Sequence, residues 1–296
     1  MASAELQMVI EMLRAQPLPR DASFAEQRAA LENLAGSAPR AEDVTYAPVE
    51  VAGRAAEWIT AAGARTDRTL LYLHGGGYCV GSIASHRTLA ADLSRAAGLR
   101  VLLLDYRLAP EHPFPAAVDD ATAAYRFLLD GGADPRKLAI AGDSAGGGLT
   151  AATLLALRDA DTPLPAAAAL LSPWLDLTLS GASMDALADR DPMVQREPLQ
   201  RMADAYLHGA DAKSSLASPL FADLRHLPPL LVHVGSAETL LDDATRFAER
   251  ARAAGVDATL EVWDDMVHVW HAFAFILPEG RDAVARVGTF LQERLG

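Results

Sequence analysis

Apolar residues near the start of the chain recur with the spacing of an amphipathic helix. The face they would form consists of Leu6, Val9, Ile10 and Leu13, at i, i+3, i+4 and i+7. Pro17 and Pro19 would end this helix, because proline lacks the amide that a helix interior needs. A second helix is predicted over about 24–34, before a break at 36–39. The pattern therefore predicts two short helices ahead of the main body of the chain.

From residue 44 onward, short continuous apolar runs alternate with longer segments of helical periodicity. Apolar runs without interspersed polar residues are typical of strands buried on both faces of a parallel sheet. These runs lie at 69–73, 100–104, 138–141, 166–171 and 230–234. Helices are predicted between them at 86–97, 115–130, 147–159 and 242–254. The alternation predicts an α/β fold with right-handed crossover connections.

One segment, 181–216, interrupts this alternation. It is polar, helical in parts, and contains no strand-like run. At roughly 35 residues it is longer than an ordinary connection, so we expect it to be functional or to form a subdomain.

The balance of charge argues against two classes of partner. The 296 residues include 26 Lys and Arg against 39 Asp and Glu, for a formal net charge of −13. Nucleic acids and anionic lipid surfaces both attract clustered basic side chains, so neither is expected as a partner. The longest apolar runs fall short of the roughly 20 residues that a transmembrane helix needs.

The beginning of the chain and its cysteine content bear on location. The N-terminal segment mixes acidic residues with its apolar ones, which is unlike a signal peptide. Cys79 is the only cysteine, so no intrachain disulfide and no cysteine-based zinc cage can form. These features predict a soluble protein of the reducing cytoplasm.

The strongest chemical signal is the pentapeptide Gly142-Asp-Ser-Ala-Gly146, which has the pattern Gly-x-Ser-x-Gly. It follows the strand-like run 138–141 and precedes the helix predicted at 147–159. In that context it predicts a nucleophile elbow, a tight turn that holds Ser144 exposed above the sheet edge. The dipole of the helix that begins there would favour a developing negative charge.

The sequence His74-Gly-Gly-Gly77 follows another predicted strand, 69–73. Consecutive glycines let the backbone approach a ligand closely and direct its amides at an oxyanion, together with the amide of Ala145 after the nucleophile. A phosphate-binding loop is disfavoured, since the pattern GxxxxGK[ST] and its lysine are missing. His74 itself is expected to hold the loop rather than to act as a base.

A serine nucleophile needs a base, and the base needs an acid to orient it, in the chain order Ser, acid, His. His268 follows a strand-like run at 259–262 and is the predicted base, with His271 as its competitor. The acids that follow the run 230–234 are Glu238, Asp242 and Asp243. Glu238 is closest to the strand end, whereas the two aspartates resemble the first turn of a helix.

Four blocks of the sequence carry a family resemblance. They are HGGGYCVGS at 74–82, DYRLAPEHPFPAAVD at 105–119, GDSAGG at 142–147 and SPWLDL at 172–177. Together they closely resemble the hormone-sensitive-lipase-like family of bacterial esterases, in the branch with a GDSAG motif. The resemblance covers essentially the whole chain after the first helices. It implies an α/β-hydrolase core and a helical cap made from the N-terminus and an inserted segment.

The resemblance implies a role for individual residues. Ser144 would be the nucleophile and His268 the general base, with the amides of Gly75, Gly76 and Ala145 as the oxyanion hole. The family's acidic motif, Asp-Pro-Leu-x-Asp, corresponds here to Glu238-Thr-Leu-Leu-Asp242. The catalytic acid therefore falls on glutamate rather than aspartate, and Asp242 remains the alternative.

The resemblance also implies a division of the chain. Cap helices would occupy 1–43 and an inserted cap segment 181–216, and the α/β-hydrolase core would comprise 44–180 and 217–296. The implied protein is a homodimeric serine carboxylesterase for small esters with short acyl chains, with no metal or organic cofactor. A lactonase or deacetylase would use the same triad. A non-catalytic binding protein of the same fold is the remaining alternative, and the presence of His268 argues against it.

Overall fold

The structure of the protein is a computed structural model that describes residues 3–15, 22–36 and 40–296. The described residues form one eight-stranded sheet and nine α-helices. The strands are β1 Val44–Val51, β2 Arg54–Ala61, β3 Arg65–Leu73, β4 Leu99–Leu104, β5 Leu138–Asp143, β6 Ala167–Leu171, β7 Leu230–Gly235 and β8 Ala258–Trp263. The helices are α1 Ala4–Ala15, α2 Phe24–Gly36, α3 Ile83–Ala97, α4 Ala116–Asp130, α5 Ala145–Asp159, α6 Ser183–Ala186, α7 Arg196–Leu207, α8 Leu241–Ala253 and α9 Pro278–Leu295.

The sheet is mostly parallel. Its strand order is β1-β2-β4-β3-β5-β6-β7-β8. β2 is antiparallel to both of its neighbours, and every pairing from β4 to β8 is parallel. Every residue of β5, β6 and β7 is buried, as their uninterrupted apolar runs predict. The predicted α/β architecture is confirmed.

The core lies on both faces of this sheet, because successive side chains of a strand point to opposite sides. In β3, Leu71 and Leu73 join a core cluster that also contains the apolar faces of α4, α5 and α8. Leu70 and Tyr72 join a second cluster with α3 and α9. The helices on the two faces exclude water from the central strands.

The predicted elements form, and most of their boundaries shift by one to four residues. Helix α5 begins at Ala145, immediately after the serine of the pentapeptide, two residues before the predicted start. Helix α3 begins at Ile83, because Ser82 caps it and exchanges hydrogen bonds with Ser85. Strand β3 begins at Arg65, where its polar first residues give no apolar signal.

The helices outside the strand–helix alternation also form. Helix α1 buries Leu6 and Val9, as its apolar stripe predicts. The breaks predicted at Pro17, at Pro19 and within 37–39 lie outside the described residues. The segment 181–216 contains α6 and α7 and no strand. In the described part of the chain, no helix is long and apolar enough to span a membrane.

Candidate active site

The chemically distinctive residues of the sequence meet at one edge of the sheet. Strands β5, β6, β7 and β8 are consecutive and parallel, so their carboxyl ends share that edge. In their register Asp143 pairs with Leu171, and Leu171 pairs with His233. The loops that follow these strands, rather than any single element, therefore form the site.

Ser144 occupies the turn between β5 and α5. Its backbone lies at φ 52° and ψ −121°, a strained conformation for a residue with a side chain. A Cβ on Gly142 would lie 2.3 Å from Gly146 O, and a Cβ on Gly146 would lie 2.0 Å from Leu73 O. Only glycine fits at both places, which explains the pentapeptide. Ser144 is half-buried while both glycines are buried, so the serine is the more accessible residue of the turn.

His268 and Glu238 form a buried pair on the neighbouring loops. His268 Nδ1 lies 2.9 Å from Glu238 Oε2, and both side chains are at most 4% exposed. The other carboxylate oxygen of Glu238 accepts a hydrogen bond from Gly235 N at 2.6 Å. The carboxylate is thus held from the strand end and from the histidine together, which is the arrangement that orients an imidazole.

The two competing acids have other partners. Asp242 Oδ2 accepts a hydrogen bond from Ser183 N at 3.0 Å, and so fastens α8 to the segment 181–216. Asp243 Oδ2 accepts from Leu175 N and Asp176 N. Among the three acids, the geometry favours Glu238 as the partner of the histidine.

His271 belongs to a different cluster. It is fully buried, and its Nε2 lies 3.1 Å from His233 Nδ1. Its ring also lies 4.0 Å from that of Trp270, centroid to centroid. Burial holds the pKa of His271 well below its ordinary value, so it is a neutral packed side chain.

The environment of His268 has two opposing effects on the pKa of its imidazole. Burial alone lowers this pKa, because the charged imidazolium loses its hydration. The hydrogen bond and negative charge of Glu238 act the other way, with smaller contributions from Asp191 and Asp143, and raise the pKa above its ordinary value. The site therefore stabilises the imidazolium that a serine nucleophile would create.

The glycine loop, residues 74–82 between β3 and α3, lies against the pentapeptide. Tyr106 OH donates to His74 O at 2.7 Å, and the ring of His74 stacks on that tyrosine at 4.2 Å. Burial lowers the pKa of His74 to about 3, so it is neutral and supports the loop. Gly76 and Gly77 both have positive φ, 116° and 59°. Glycine adopts a left-handed backbone of this kind readily, whereas a residue with a side chain would be strained there.

Asp143, the residue before the nucleophile, connects the two loops. Its Oδ1 accepts hydrogen bonds from Gly75 N at 3.1 Å and from Tyr72 OH at 2.7 Å. Its Oδ2 lies 3.2 Å from His86 Nε2. Although burial raises the pKa of Asp143, His86, the hydrogen bond from Tyr72 and His74 together lower it to about 2, so Asp143 remains a carboxylate. Sequence reasoning missed this role, and the available signal was an acid inside the pentapeptide.

The contacts of Asp143 change one prediction. Because Gly75 N already donates to a carboxylate, it has no amide hydrogen to spare for a substrate oxyanion. Among the described residues, no acceptor is found for the amides of Gly76, Gly77 or Ala145. We therefore replace Gly75 by Gly77 as the predicted donor to the oxyanion.

Two helices cover this loop. The ring of Tyr206 in α7 stacks on Tyr78 at 3.9 Å, with the planes 5° apart. A Cβ on Gly77 would lie 2.1 Å from the sulfur of Met202 in α7. Arg28 in α2 donates to Cys79 O at 2.7 Å. Helix α2 and the segment 181–216 therefore both contact the glycine loop.

Cys79 is not a second nucleophile. Burial raises the pKa of its thiol to about 12, so the thiol remains protonated at neutral pH. In the described part of the chain, no group of three or more His, Cys, Asp or Glu side chains is arranged to hold a metal ion.

The comparison with known proteins agrees with this geometry. A family model described as the alpha/beta hydrolase fold matches residues 70–272. An acetyl-hydrolase of Streptomyces hygroscopicus is 47% identical, with 100% of this chain and 99% of that protein covered. An esterase from the bacterial hormone-sensitive lipase family, known from its crystal structure, shares 53% sequence identity with this chain. The two structures superpose with a TM-score of 0.96, and 100% of both chains is covered. The crystal structure of EstE5 soaked with p-nitrophenyl butyrate is 49% identical over 99% of both chains, with a TM-score of 0.96.

An eight-stranded, mostly parallel sheet with a serine elbow and a buried acid–histidine pair at one edge defines an α/β-hydrolase. Within that class, the chain belongs to the hormone-sensitive-lipase-like family of esterases. It is a carboxylic ester hydrolase.

Proposed function

We propose that Ser144, His268 and Glu238 form the catalytic triad of this serine carboxylesterase. The single observation that carries the assignment is the buried hydrogen bond of 2.9 Å between His268 Nδ1 and Glu238 Oε2, on loops beside the serine elbow. Because this hydrogen bond occupies Nδ1 of His268, Nε2 is the nitrogen that takes the proton of the serine.

The reaction follows from these positions. Ser144 Oγ attacks the ester carbonyl carbon while His268 Nε2 takes its proton, and Glu238 stabilises the imidazolium. The tetrahedral intermediate collapses as the imidazolium protonates the leaving alcohol, which leaves an acyl group on the serine. Water then attacks the acyl-enzyme with the same histidine as base, and the acid product leaves.

The proposed oxyanion hole consists of the amides of Gly76, Gly77 and Ala145. The first two lie on the glycine loop, and Ala145 is the first residue of α5, where the helix dipole adds to the stabilisation of negative charge. Asp143 supports this hole indirectly, because it fixes the loop through Gly75 N. Losing one donor of such a hole typically costs about 10²–10³ in turnover.

The substrates that we propose are small esters with short acyl chains. Stacking of Tyr206 on Tyr78, and the sulfur of Met202 over Gly77, leave limited room above the glycine loop. The soak of EstE5 with p-nitrophenyl butyrate, whose acyl group has four carbons, supports the same size class. The name of the Streptomyces relative, an acetyl-hydrolase, favours acetyl groups among the acyl groups and keeps a deacetylase as the second candidate.

The division of the chain into core and cap is part of the proposal. The cap would comprise 1–43 and 181–216, and the contacts of Arg28, Met202 and Tyr206 with the glycine loop support this role. We further infer a homodimer in the cytoplasm. The family resemblance supports the dimer, and the single cysteine supports the compartment.

Hydrolysis of p-nitrophenyl esters from acetate to palmitate tests the function, with Ser144→Ala measured in parallel. We expect activity to be highest on the short esters and to fall by several orders of magnitude in the variant. A preference for long chains would overturn the size class. Undiminished activity in the variant would overturn the nucleophile.

A further inference from the structure

The end of β6 and the turn that follows it contact Ser144, Glu238 and the residue after His268. The backbone of Ser144 is held on both sides, since its N–H donates to Leu171 O at 2.8 Å and its carbonyl accepts from Trp174 N at 2.9 Å. Between these two residues lies Ser172, which is completely buried. Ser172 lies outside the pentapeptide and outside the loops that carry Glu238 and His268.

The side chain of Ser172 links Glu238 to the loop that carries His268. Its hydroxyl donates to Glu238 Oε1 at 2.7 Å and accepts a hydrogen bond from Val269 N at 3.1 Å. Val269 directly follows His268, so one oxygen atom links the carboxylate to the backbone of the histidine loop. The remaining oxygen of the carboxylate is the one that faces the imidazole.

The backbone of Ser172 indicates that this placement is under constraint. Its φ of 47° lies in the left-handed region, where a residue with a side chain is strained. Its amide donates to His233 O in β7 at 2.8 Å, which fixes the turn to the strand that precedes Glu238. Strained residues are maintained where the surrounding structure determines them, and such positions cluster at functional sites.

We propose that Ser172 is a positioning residue for the catalytic triad, which fixes Glu238 and the His268 loop in register with the nucleophile through its single hydroxyl group. This inference rests on the proposed function of the triad. Without the hydroxyl, Glu238 Oε1 keeps only the hydrogen bond from Gly235 N, so the carboxylate is held less tightly, and Val269 N loses its acceptor. The imidazole would then reach the serine in fewer of the conformations that the site samples.

The chain offers a matched control. Ser94 is also completely buried, and its hydroxyl also donates once and accepts once, to Leu99 O at 2.7 Å and from Ala61 N at 3.0 Å. Its partners join α3 to the start of β4 and to β2, away from the triad. Ser172→Ala and Ser94→Ala therefore remove the same pair of hydrogen bonds in two different places.

The first experiment measures kcat, KM and the thermal unfolding temperature with p-nitrophenyl butyrate. We expect Ser172→Ala to lower kcat roughly 10- to 100-fold, the range for a hydrogen bond to a charged group, with little change in KM. The rate at which phenylmethylsulfonyl fluoride inactivates the enzyme should fall by the same factor, because it reports the nucleophilicity of Ser144. Ser94→Ala should lose comparable thermal stability and keep its kcat.

Ser172→Gly separates positioning from folding. Glycine removes the hydroxyl and relieves the strain of the positive φ, so this variant should be more stable than Ser172→Ala. We expect its kcat to remain as low. Recovery of kcat in the glycine variant, or an equal loss of kcat in Ser94→Ala, would overturn the proposal and leave Ser172 a structural residue.

A double-mutant cycle tests whether Ser172 acts through the acid. If it does, Ser172→Ala should cost little in a Glu238→Gln background, whereas independent residues would give additive losses. Additive losses would overturn the proposal. Failure of the wild-type enzyme to hydrolyse the ester would overturn the proposed function instead, and the inactivation rate by the sulfonyl fluoride would still measure the effect of Ser172.

Discussion

The substitution Glu238→Gln removes one charge from the buried pair of Glu238 and His268 and keeps the shape of the side chain. Glu238 is completely inaccessible and lies 2.9 Å from His268 Nδ1. The imidazole is neutral before the reaction and becomes an imidazolium as Ser144 loses its proton. The attraction between the two groups is therefore fully realised only in the transition state, and its loss should appear in kcat.

The size of the effect follows from the distance and the burial. At an effective dielectric constant of about 20, opposite unit charges about 4 Å apart attract by about 4 kcal/mol. That free energy corresponds to roughly a thousandfold in rate. Glutamine can also turn its NH₂ group toward Nδ1 and favour the wrong tautomer, which adds to the loss. We expect Glu238→Gln to lower kcat by about 10³–10⁴ with little change in KM.

The assay is steady-state hydrolysis of p-nitrophenyl butyrate, with thermal unfolding to confirm that the variant folds. Asp242→Asn is the matched control, because it removes a carboxylate of the same loop that contacts Ser183 N rather than the histidine. It should keep most of the activity. A strong loss in Asp242→Asn, together with a mild one in Glu238→Gln, would refute the reasoning and move the catalytic acid to residue 242.

Two further predictions concern the pH profile and the proposed cap. The general base His268 must be neutral to accept a proton. Burial lowers its pKa, but Glu238 raises it above its ordinary value. We therefore expect kcat/KM to fall as the pH drops through a midpoint above about 6.5. The midpoint should move down in Glu238→Gln, and a midpoint that stays in place would contradict the assigned coupling. Arg28→Ala removes the contacts of α2 with Cys79 O, Ala109 O and Glu111, and should change the ratio of turnover on longer and shorter esters. Arg95→Ala, which breaks an ion pair with Asp43, should leave that ratio unchanged, and an unchanged ratio in both variants would count against the cap.

The sequence alone predicted the architecture and the reactive residues, because both are encoded locally. Burial on two faces requires uninterrupted apolar strands, and a tight strand-to-helix turn requires glycine two residues before and two after Ser144. Chain order then limited the base to His268 or His271 and the acid to three residues of one loop. These patterns depend on neighbours within a few positions and can be recognised without a structure.

Only the tertiary structure shows which contacts the candidate residues make. It paired His268 with Glu238 and packed His271 against His233, because those contacts depend on how adjacent strands align their ends. It also occupied Gly75 N with the carboxylate of Asp143, 68 positions away, and so moved the proposed oxyanion hole by one residue. Hydrogen bonds between loops far apart in the chain have no periodic signature in the sequence, which is why the contacts of Asp143 and Ser172 became visible only in the folded protein.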